Sequence, residues 1–187
     1  MIKKLNMNKI LFFFIALTFI STNISAQLQQ VTLEQRVENS SLVFEGKVLN
    51  KSSFWDTDRR HIYTSNLVSV YKVFKGELSH SVVEVITIGG IVGNQMEKVS
   101  YGLELQEGSI GVFTCVPNTV KFASGSKNLR LKPYAEIQGF IRYDLATGTA
   151  RDVFKQYKNV AGEIYPAIQK LTHSNYKVMN KADFKIK

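Results

Sequence analysis

The run Ile62 to Phe74, IYTSNLVSVYKVF, constrains the fold more than any other stretch of the chain. It is rich in the Tyr, Thr, Val and Leu side chains that suit a pleated surface, so it reads as the longest strand. Its apolar phase is carried by Val68 and Val70 and then passes to Tyr71 and Val73. One inserted residue reverses the alternation of a strand, so the phase change predicts a β-bulge, and strands bent in this way wrap round barrels.

Other strands follow from the same period. Leu42, Phe44, Gly46 and Val48 alternate with Val43, Glu45 and Lys47, with Gly46 marking a bend or bulge. Val82 to Ile88 alternates and stops at Gly89-Gly90. Ile110 to Val116 is a continuous apolar run ended by Pro117, and Ile137 to Leu145 supplies a fifth strand. Ile91 to Glu107 shows no clean period and reads as irregular, with a short strand near Leu103 to Leu105. Thr32 and Gln35 have capping-box spacing, which predicts a short helix to about Glu38. Val160, Ile164, Ile168 and Leu171 recur at helical spacing behind Asn159 as N-cap, and Pro166 either sits in the first turns of this helix or kinks it. The predicted fold class is all-β: a small five-stranded OB-like barrel with a short N-terminal helix and a C-terminal helix.

Residues 1–26 have the form of a secretory signal peptide. Lys3, Lys4 and Lys9 form a basic segment, Ile10 to Ile20 is apolar, and Ser25-Ala26 offers a small-residue cleavage site. The apolar run falls short of the roughly 20 residues that span a bilayer, so the expected mature chain is exported to the periplasm or beyond, with no transmembrane span. Residues 27–172 then form one barrel domain and 173–187 a basic, frayed tail. The leader lysines account for three of the nine net positive charges, leaving +6, which favours acidic partners in general. Cys115 is the only cysteine, which excludes an intrachain disulfide, and its apolar surroundings read as those of an inert thiol.

The chain also resembles the N-terminal domain of secreted bacterial proteins, many of them cargo of the type IX secretion system. The resemblance is carried by Leu42 to Val48, Ile62-Tyr63-Thr64, Val73-Phe74-Lys75-Gly76, Gly89-Gly90 with Val92-Gly93, and Gly108 before Val112-Phe113. Gly139-Phe140, Phe154 and Tyr165 extend it to roughly residues 42–171. These are fold markers, and the family has no established activity to carry onto any residue. The resemblance implies further modules, which this chain lacks, so a stand-alone or truncated module is expected.

No catalytic, metal or cofactor site is expected. His61, His80 and His173 lie in no metal-ligand spacing, there is no GxSxG elbow, and Gly89 to Gly93 lacks the Lys-Ser/Thr of a phosphate loop. Asp56 and Asp58 read as turn residues capping a hairpin. In an OB-like barrel, residues 50–61 and 117–133 become the two loops that flank the binding face. Phe54 and Trp55 would stack on a base or sugar, with Arg59, Arg60, Lys121, Lys127 and Arg130, joined by Lys51, supplying positive charge. The same residues also fit a plainer account, in which the aromatics close the barrel end and the cations are merely solvated. The reading is therefore a non-enzymatic interaction module whose partner is an anionic polymer, glycan or nucleic acid, or another secreted protein. Inhibition or regulation of a secreted protease is the alternative, on fold analogy alone.

Overall fold

The computed structural model describes residues 28–122 and 126–186, so the expected leader lies outside the described residues. The fold is mostly β with two α-helices. Helix α1 (Leu33–Asn39) leads into β1 (Leu42–Trp55), β2 (Ile62–Lys75) and β3 (Val82–Ile88). A small hairpin follows, β4 (Gly90–Val92) and β5 (Gln95–Glu97), and then β6 (Ile110–Pro117) and β7 (Leu129–Pro133). A 3-10 turn at Glu136–Gly139 precedes β8 (Phe140–Asp144), β9 (Thr149–Arg151) and β10 (Gln156–Tyr157). A π-turn at Val160–Ile164 opens α2 (Tyr165–Thr172), and β11 (Lys177–Val178) ends the chain of elements.

Five strands close on themselves in the order β1-β2-β3-β7-β6 and back to β1. Every pair in this ring is antiparallel except β3–β7. Period-2 alternation then makes two cores. Phe44, Val68, Val70, Val83, Val85 and Phe113 fill the ring, where the Phe44 and Phe113 rings stack at 5.0 Å. Val43, Val112 and Ile141 point outward instead, under Val160, Ile164 and Ile168 of the α2 segment. Being covered on both faces is why Ile110 to Val116 reads as an unbroken apolar run.

The expected bulge is present twice. Lys72 pairs with Glu45 and Val70 with Gly46, leaving Tyr71 unpaired, and the same happens at Phe74 between Val73 and Lys75. Each extra residue is turned out of the ring, where Tyr71 meets Phe184 and Phe74 meets Tyr165 and Tyr176. Gly46 sits where the strands approach closely: an added Cβ would lie 2.6 Å from Val68 Cγ1 and 2.8 Å from the Ser69 carbonyl.

Both helix starts match their signals. The Thr32 hydroxyl accepts from Gln35 N at 3.2 Å while the Gln35 side chain accepts from Thr32 N at 3.0 Å. Asn159 Oδ1 accepts from Gly162 N at 2.7 Å, and Pro166 falls in the first turn of α2, where its missing N–H costs no helical bond.

Several expectations give way. Residues 50–55 are strand, so the first loop is only 56–61, and Leu129–Pro133, expected as loop, is the fifth strand of the ring, whereas the expected fifth strand at 137–145 begins as a 3-10 turn and its β8 lies outside the ring. Leu103 and Leu105 are buried but form no strand, while β4, β5, β9 and β10 arise where none was expected. The tail expected to fray packs against the sheet instead. Lys177 and Val178 pair with Val73 and Lys72, Met179 N donates to the Tyr71 carbonyl at 2.8 Å, and Asp183 takes bonds from Lys47 Nζ and Tyr71 OH. No helix among the described residues is long and apolar enough to cross a membrane.

Candidate binding surface

The β1–β2 ribbon continues to the pair Trp55–Ile62 and ends in a tight turn. Asp56 builds that turn in the expected role: its amide donates to the His61 carbonyl, and its Oδ1 accepts from Arg60 N at 2.8 Å and His61 N at 3.3 Å. Arg59 adopts a left-handed backbone at φ 54°, and the side chains of Arg59 and Arg60 stand exposed at the tip.

Lys121 and Phe122, which follow β6, reach the same place. Thr57 donates twice to the Lys121 carbonyl, from N at 3.1 Å and from Oγ1 at 2.9 Å. Next to this tie the Phe122 ring lies on Phe54 with centroids 3.9 Å apart, and Phe54 in turn faces Tyr63 at 6.2 Å. The Arg130 guanidinium lies 4.7 Å from the Phe122 ring centroid, donates to the Ser126 carbonyl and is 3.6 Å from Glu84 Oε2. The two expected loops therefore converge.

Their side chains divide by role. Phe54 stacks on Phe122 and lies 6.2 Å from Tyr63, which engages its ring in an internal aromatic cluster. Arg130 is engaged with Phe122, Ser126 and Glu84, and acts as the clamp of the loop. Trp55 alternates to the opposite face of the ribbon, beside buried Ile62, where it is half-buried. Arg59, Arg60, Lys121 and Lys127 remain exposed. Lys51 donates to the Leu105 carbonyl at 2.7 Å and lies on the face opposite Phe54.

Phe122 and Glu97 are not singled out by the sequence, where His61 enters only as a candidate metal ligand and Tyr63 only as a fold marker. Glu97, on β5, pins the base of the turn: Oε2 accepts from Ile62 N at 2.6 Å and Oε1 bonds His61 Nδ1 at 2.9 Å. The Ile62 amide, helped by His61, holds the Glu97 carboxyl below the usual range. Burial, with Asp56 and Glu97 nearby, raises the Tyr63 phenol. Apart from the bond to Glu97, the His61 imidazole makes no hydrogen bond among the described residues. Only Lys121 beside Phe122 signalled the stack in sequence, because a loop residue carries no period.

Arg59, Arg60, Lys121 and Lys127 are the exposed cations of this surface, and none has a carboxylate within 4.0 Å among the described residues. The chain matches no protein-family model and no curated protein sequence.

Proposed function

We propose that this chain is an exported, non-enzymatic interaction module that binds anionic polymer through its paired loops. The observation that carries this reading is the double Thr57–Lys121 tie, which brings Arg59 and Arg60 from one loop beside Lys121 from the other. Four exposed cations on two tethered loops form a concentrated positive field that salt would screen.

The strand order supports an OB-type barrel. Counted within the ring, strands run 1-2-3-5-4 and return to 1, with the third and fifth parallel, a Greek-key closure with loops 1–2 and 4–5 side by side. That is the arrangement the resemblance to secreted bacterial N-terminal domains implies. The leader-like residues 1–26 support export.

Retention on a sulfated-polysaccharide column, eluted with salt, tests the reading. Replacing Arg59, Arg60, Lys121 and Lys127 with Ala should move elution to markedly lower salt. Replacing Lys158, Lys170, Lys177 and Lys181, equal in charge and exposed elsewhere, should move it much less. Equal shifts in the two variants would reduce the effect to net charge and sink the proposal.

A further inference from the structure

The opposite face of the β1–β2 ribbon carries a second feature, independent of the paired loops. Lys51 and Asn66, Ser53 and Thr64, and Thr64 and Thr87 are cross-strand partners, so they share the face away from Phe54 and Tyr63. They line a cleft of about 690 Å³. Its lining also includes residues of the β4–β5 hairpin and of the segment that follows it, from Lys98 to Leu105, together with Arg142 of β8, Arg151 of β9 and Val153.

The charges in this cleft do not cancel. None of Lys51, Lys98, Arg142 and Arg151 has a carboxylate within 4.0 Å among the described residues. Of the three acids in the lining, Asp152 is neutralised by Arg36 at 2.6 Å, which leaves Glu97, bonded to Ile62 N and His61, and Glu104, bonded to the Gln106 side chain at 3.2 Å. Four cations against two carboxylates leave the cleft net positive and complementary to an anion.

Its apolar surface narrows the class. Leu103, Leu105 and Phe140 are buried in the floor, while the rim presents Ile91, Met96 and Val153 at 62%, 70% and 45% exposure. Exposed hydrophobic side chains gathered at one cleft mark a protein-binding surface rather than a hydration shell. The only aromatic ring in the lining is Phe140, 4% exposed and under Arg142, so the cleft has no stacking platform for bases or sugars. We infer that this cleft docks an extended acidic peptide segment of another protein, its apolar side chains on Ile91, Met96 and Val153 and its carboxylates on Lys51, Lys98, Arg142 and Arg151.

The probe is a fluorescein-labelled peptide of alternating Glu and Leu, with Lys–Leu and Glu–Ser peptides as controls, read by anisotropy against the full chain. The Glu–Leu peptide should bind and the controls should bind at least tenfold more weakly. Met96→Asp with Lys98→Glu, two exposed positions whose exchange should spare the fold, should weaken binding at least tenfold at an unchanged melting temperature. Amide shifts on titration should map to Met96, Lys98 and Val153. Equal binding of the Lys–Leu peptide, shifts confined to Arg59 and Lys121, or no loss in the double variant overturns the inference. So do shifts at Met96, Lys98 and Val153 on titration with dodecanoate and none with the peptide, which would assign the cleft to a small anionic amphiphile. The alanine variant of the four loop cations should keep peptide binding, so failure here and failure on the polysaccharide column are separate results.

Discussion

Glu45 has no access to solvent, yet its carboxylate is surrounded by donors: Lys72 Nζ at 2.5 Å, Tyr143 OH at 3.1 Å and Tyr165 OH. Alternation puts it there, because Phe44 and Gly46 point into the ring and Glu45 points out, beneath α2. Removing the one cation should therefore expose the full cost of burying the charge. Lys72→Met is expected to lower unfolding free energy by about 3–5 kcal/mol in urea titration, and adding Glu45→Gln should recover much of it. Burial first, and Glu45 next, raise the Tyr143 and Tyr165 phenols. A phenol raised on folding stabilises fully below its unfolded value near 10, and that stabilisation is lost as pH rises beyond it. Melting temperature should accordingly fall from about pH 10 upward, and less steeply in Tyr165→Phe. At Gly46 the limit is space: Gly46→Ala should cost about 1–3 kcal/mol, measured the same way, because the Val68 and Ser69 backbone and side-chain atoms would have to shift.

At the scale of elements, β2 does two jobs because of its bulges. Its inward residues complete the ring, and the expelled Tyr71 and Phe74 dock the segment after α2. Deleting residues 173–187 should uncover this aromatic face, lowering the melting temperature and raising binding of an apolar dye while the far-ultraviolet spectrum stays mostly β. The β4–β5 hairpin hangs on Glu97. Its carboxyl is held low in the folded state, so its contribution is whole above the ordinary glutamate value near 4.3 and is lost as pH falls through the depressed one. Acidification below about pH 4 should release the hairpin first, seen as faster amide exchange at Met96 and Ile62 before global unfolding, and Glu97→Gln should show the same loosening at neutral pH.

For the whole molecule, the ring and the layer outside it share β1, β6 and their hydrogen bonds, so the two cores should be lost together. Cys115 reports on this. It is fully buried in the ring core, and burial pushes its thiol far above the ordinary range. Labelling by a thiol reagent should be negligible in the native state and should follow the same denaturant midpoint as tyrosine fluorescence. Labelling well before that midpoint would show that the ring opens on its own.

How much of this was legible in the chain depended on the range of each signal. The Thr32 capping box, the Asn159 cap, the Asp56 turn and the alternation of residues 42–48 and 82–88 are settled by neighbours a few residues apart, and the structure matches them. Strands of two or three residues, as in β5, β10 and β11, are too short to show a period, and the sheet they join supplies their hydrogen bonds. Phe54 and Arg130 read from the sequence as candidate ligand contacts, and the arrival of Phe122, which packs on both, engages them in an internal stack. The cleft between β5 and β9 had no sequence signature at all, since its cations come from four separate elements. Local patterning thus determined where the long strands and the two helices begin and which faces they would bury. Ring closure, the fate of the tail and the choice of which cations stay unpaired were decided by contacts between distant segments, whose energies exist only once those segments meet.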